Sequence, residues 1–92
     1  MKFFVYQEVV CRQIGEDYLA YSDLTSETIS LSYFAYATLN YLITEPMNHS
    51  KLLALLEKFF NEGGNDRVSM ELKVTLNKLI EHGVIYQSSE VC

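Results

Sequence analysis

Between Glu27 and Leu42 the chain changes its repeat without a loop. Thr28-Ile29-Ser30-Leu31 alternates polar and apolar, the period of a half-buried strand, whereas Leu31, Phe34, Ala35, Thr38, Leu39 and Leu42 recur at helical spacing. Ser32 stands at the join, and its hydroxyl is suited to accept an amide hydrogen bond from the first turn of the helix. A strand that runs straight into a helix fixes where that helix starts, so its apolar stripe must pack on the sheet that holds the strand. The join therefore excludes an all-helical or all-strand chain and demands an α+β domain.

The flanking segments supply the other elements. Phe3, Phe4, Val5, Tyr6, Val9 and Val10 predict a strand over about residues 2–13, Gly15-Glu16-Asp17 a turn, and Tyr18-Leu19-Ala20-Tyr21 a second strand over 18–22. The turn formers from Ser22 to Ser26 then lead to the third strand over 27–31. A first helix over about 33–44 stops near Pro46, and a second over 49–61 is capped by Asn48 and ended by Asn61-Glu62-Gly63-Gly64, with a mobile loop after it. Ser69 is expected to cap a third over 70–82, carrying Leu72, Leu76, Leu79 and Ile80 and closed by Gly83. Val84-Ile85-Tyr86 extends away from it, and the tail frays after Gln87. The expected fold is a winged-helix-like α+β domain over residues 1–92, with a three-stranded antiparallel sheet followed by three helices.

Charge and cysteine content narrow the function. Seven Lys and Arg against 12 Asp and Glu give a net charge of −5, which repels phosphate backbones and anionic membranes. The third helix carries Glu71, Lys73, Lys78 and Glu81, which cancel, and Arg67 alone stands before it, so nucleic acid is a disfavoured partner. Cys11 and Cys92 lack C-x-x-C spacing and read as two free thiols in a reducing, cytoplasmic setting, with no metal site. Gln7 and Glu8 interrupt the Phe3–Tyr6 run before it reaches the length of a signal-peptide core, and no membrane span is expected. No carboxylate pair, Cys-His pair or phosphate-cradling glycine loop is positioned for catalysis, so neither catalytic residues nor a cofactor are expected. Tyr18, Tyr21, Tyr33, Tyr36, Tyr41 and Tyr86 exceed what so small a core can cover, and Tyr33, Tyr36 and Tyr41 cannot share one helix face, so some apolar surface is expected to stay exposed.

Gly15-Glu16-Asp17-Tyr18-Leu19-Ala20-Tyr21, Thr28-x-x-Leu31, Phe34-Ala35, Leu39-x-x-Leu42, Pro46 and Leu52 together form a pattern. The chain resembles, on these residues, the PqqD-like peptide chaperones, or RiPP precursor peptide recognition elements, from about Val9 to Ile85. It is most similar to the subgroup of the HPr-rel-A systems. It departs from that subgroup at Ser26, where the pattern has glycine, at Ile29, where it has histidine, at Tyr33, where it has proline, and at Tyr36, where it has alanine.

The resemblance implies a non-enzymatic adaptor that binds the leader segment of a precursor peptide. The leader adds as a further strand beside the third strand, in a groove walled by the third helix, and is handed to a peptide-modifying enzyme. On this chain Glu27, Thr28, Ile29 and Ser30 would carry the ladder, and Leu72, Thr75, Leu76 and Leu79 would line the groove; plain core is the competing reading for the leucines. An unprotected sheet edge supports strand addition on physical grounds. Two other functions fit the pattern: a winged-helix DNA-binding regulator, and a structural module that forms a homodimer through its sheet edge.

Overall fold

A computed structural model describes residues 2–23, 26–58, 60 and 65–88. The order is β1 (Lys2–Val5), β2 (Val9–Ile14), β3 (Asp17–Ser22), β4 (Glu27–Leu31), α1 (Tyr33–Thr44), α2 (His49–Glu57), α3 (Asn65–Glu81) and β5 (Ile85–Ser88). The α+β class and the three-stranded antiparallel sheet, in the order β2-β3-β4, are as expected.

The segment expected as one strand over 2–13 is two. Polar, exposed Gln7 and Glu8 sit in a turn closed by the Val9 N–H donating to the Tyr6 carbonyl at 3.1 Å. That turn sends β1 away from the main sheet to pair antiparallel with β5, Phe4 opposite Tyr86 and Val5 opposite Ile85. Ile85 and Tyr86 of the expected extension thus lie in a paired strand, which reaches Ser88, past the point where fraying was expected. The Phe4 and Tyr86 rings stack at 5.3 Å over this second sheet.

Helix starts follow local chemistry. Ser32 Oγ accepts from the Ala35 N–H at 3.1 Å, and Asn48 Oδ1 accepts from the Lys51 N–H at 2.8 Å, so two of the three expected caps are in place. The third helix begins at Asn65, four residues before the expected cap; Ser69 lies inside it, half-buried. The second helix ends at Glu57, capped by Lys58, four residues short of the expected 61, while the Gly63-Gly64 loop and Cys92 fall outside the described residues. Gly83 takes φ +71° and closes α3 in a double hydrogen bond: its N–H donates to Ile80 O and the Val84 N–H to Leu79 O, both at 3.0 Å. This left-handed turn needs glycine and aims the chain back at β1.

Burial alternates along the main sheet. Val9, Ala20, Ser22 and Leu31 point inward, joined by half-buried Cys11, Tyr18 and Ile29. Opposite them lies α1, whose Leu39 and Thr38 are wholly covered and whose Phe34, Ala35 and Leu42 complete the seam. Leu52 and Leu56 of α2, Leu72, Leu76 and Leu79 of α3, and Phe3, Val84 and Ile85 of the small sheet extend the same core.

Two positions carry measurable consequences. Ser26, between β3 and β4, has φ +54°, a left-handed conformation that costs a residue with a side chain. Ser26→Gly is expected to raise unfolding stability by about 0.5–1 kcal/mol in denaturant titration, and Ser26→Val to lower it. Burial pushes the Cys11 thiol up to about 11. In a Cys92→Ser background at pH 8, iodoacetamide should therefore alkylate Cys11 about 100-fold more slowly in the folded chain than in urea, read by mass spectrometry.

Candidate functional site

The site begins with the hydrogen-bond phase of the main sheet. The Asp23 N–H donates to Glu8 O at 3.1 Å, which makes residues 8 and 23 a hydrogen-bonded pair in the β2–β3 register. Such pairs alternate, so Tyr21 and Leu19 turn their backbone groups to β2, and Tyr18, Ala20 and Ser22 turn theirs to β4. Their partners are Leu31, Ile29 and Glu27. Thr28 and Ser30 are left with their N–H and C=O groups directed away from the sheet, along its outer edge. No described strand pairs with that edge.

Beside the edge runs a groove of about 200 Å3. Ile29, Ser30 and Leu31 form one side, Ser32 and Ala35 one end, and Glu71, Val74, Thr75, Lys78 and Leu79 of α3 the other side. Val74 is 63% exposed, an unusual setting for a valine on a helix whose other face is core. Glu71 and Lys78 stand two turns apart on the α3 side. At the start of β4 His82 Nδ1 lies 3.7 Å from Glu27 Oε1, linking the two walls.

The residues singled out from the sequence divide between groove and core. Glu27, Thr28, Ile29 and Ser30 all lie on the edge strand, with Ile29 turned inward and half-buried while Thr28 and Ser30 turn outward. Thr75 and Leu79 line the groove near its floor. Leu72 and Leu76 do not line it: they are 0% and 3% exposed and belong to the core. Val74, Glu71 and Lys78 were missed. Their signal is the helical stripe beside the Leu72-Leu76-Leu79 stripe, in which Val74 is apolar where a solvated face would be polar.

The opposite face of the main sheet also departs from expectation. An antiparallel sheet that faces water on one side is normally polar there. Here Val10, Ile14 and Tyr21 are 43%, 59% and 40% exposed, and with Arg12, Leu19, Asp23 and Thr28 they shape a hollow of about 300 Å3. A third hollow lies along α1 between Tyr33, Tyr36, Tyr41 and Phe60, and Tyr33 is the most exposed of these tyrosines. Among the described residues no group of three His, Cys, Asp or Glu side chains could hold a metal ion. None of their helices is long and apolar enough to cross a membrane.

No family model matches the sequence, and no curated protein matches it. Among solved structures the chain is similar to TbiB1, determined in complex with the TbiA(β) leader peptide, with a TM-score of 0.77. The match covers 95% of this chain and 99% of that one at 11% sequence identity. At that identity the likeness establishes a shared fold.

Proposed function

We propose that this chain is a non-catalytic, PqqD-like adaptor. It captures the leader segment of a precursor peptide by strand addition to β4 and presents it to a modifying enzyme in the cytoplasm. The observation that carries this reading is the free edge at Thr28 and Ser30 beside an apolar groove. The fold shared with TbiB1, a protein seen with a leader peptide bound, supports it further.

A peptide laid antiparallel on that edge pairs its backbone with Thr28 and Ser30. Its side chains opposite those two residues share their outward face, and the one opposite Ile29 turns inward, between Ile29, Val74 and Leu79. Backbone bonds give affinity that tolerates sequence, and the inward position gives selectivity. Ser26 supports the family reading from another side, because the PqqD-like subgroup pattern has glycine where this backbone is left-handed.

Titration of candidate leader peptides against the ¹⁵N-labelled chain is the direct test. The largest amide shifts are expected at Thr28, Ser30 and Val74–Leu79. Ser30→Pro removes an edge N–H without touching the β3 ladder and should weaken binding about tenfold, whereas Gln13→Pro on the far edge of β2 should change it less than about twofold. Saturable binding that leaves Glu27–Leu31 unperturbed refutes the mode.

A further inference from the structure

The groove does not use the outward face of the main sheet, and that face has a definite chemistry. By strand alternation it presents Val10, Arg12 and Ile14 on β2, Asp17, Leu19 and Tyr21 on β3, and Thr28 and Ser30 on β4, with the paired turn residues Glu8 and Asp23 just beyond the strand ends. Val10, Leu19, Tyr21 and Ile14 make an apolar centre around the hollow. Glu8 and Asp23 border it at one end and Asp17 at the other, against the single cation Arg12, and all four charged residues are exposed.

We infer that this face docks a second, different protein, whose contact surface has an apolar projection flanked by Lys or Arg. Charge selects against a second copy. A two-fold axis along the strands sets each carboxylate end over the same end of its partner, and an axis across them sets Asp17 over Glu8 and Asp23; either way acid meets acid between chains of net charge −5 each. Area sets the strength of the complex. Three strands about 4.8 Å apart and six residues long cover roughly 290 Å2, far below the roughly 800 Å2 per partner of a stable interface. A small acid-rimmed apolar patch suits a transient complex formed quickly with a basic partner.

The identity of that partner rests on the peptide reading. A strand added to β4 turns the side chains opposite Thr28 and Ser30 onto this same face, so the partner meets the adaptor and its peptide as one four-stranded surface. On that reading the partner is the enzyme that receives the peptide.

Photo-crosslinking in the native host, with benzoylphenylalanine in place of Tyr21, tests this. The expected product is one adduct with a different protein, joined through an apolar segment flanked by Lys or Arg. Asp17→Lys with Asp23→Lys should lower its yield at least about fivefold, with the amide spectrum unchanged elsewhere. An adduct of the chain with itself, or with the peptide and no other protein, overturns the inference. So does a yield no higher than from the same probe at Ile43, an exposed residue on α1, or one indifferent to the charge reversals. The adduct is also measured after deletion of the precursor gene. A yield that persists supports the surface and removes its link to the peptide; a yield that falls supports both.

Discussion

The antiparallel pairing of β1 with β5 governs where everything else can sit. It takes the two ends of the described chain and ties them together, with Phe3 bonded onward to Met47 at 2.8 Å in the link between α1 and α2. Through the Gly83 turn, β5 holds the end of α3, and α3 packs on α2 and β5. The helix is thereby held beside the main sheet without being pressed onto β4. The space between β4 and α3 follows from that strut, and the edge of β4 is uncovered for the same reason.

α1 supplies the complementary constraint. It touches β1, β2, β3, β4 and α2, and its first turn is fixed to β4 by the Ser32 cap with no intervening loop. Leu31 is the last inward strand residue and is buried against it. An edge strand anchored this way along one side and at one end keeps its register, so its free backbone groups are presented in a fixed array.

The strand-to-helix join, the caps at Ser32 and Asn48 and the buried stripes of α1 and α2 were legible because each rests on local periodicity or a single side chain. β5 was not. Val84-Ile85-Tyr86 is too short to identify as a strand from its own residues, and its partner lies 80 or more positions away. The division of the expected first strand was signalled by Gln7 and Glu8, but its meaning depends on that distant pairing. At the site, Thr28, Ile29 and Ser30 were legible as edge residues. The wall of α3 was displaced by one stripe because propensity picks out the leucines that fill the core, while Glu71, Val74 and Lys78 owe their place to how far the strut holds α3 from the sheet.

The proposed mode has an energetic consequence. Thr28 and Ser30 together offer two donors and two acceptors, and a net gain of about 0.5–1.5 kcal/mol for each bond gives only about 2–6 kcal/mol. The loss of translational and rotational freedom on association is of the same order or larger, so pairing along this edge cannot by itself hold a peptide. Burial of one apolar side chain between Ile29, Val74 and Leu79 adds about 1.5–3 kcal/mol and shifts the balance. In the proposed mode selectivity therefore rests on the inward position opposite Ile29, where the PqqD-like subgroup pattern has histidine and this chain has an aliphatic floor. In that mode the leader carries an apolar residue at this register, which buries against Ile29, Val74 and Leu79.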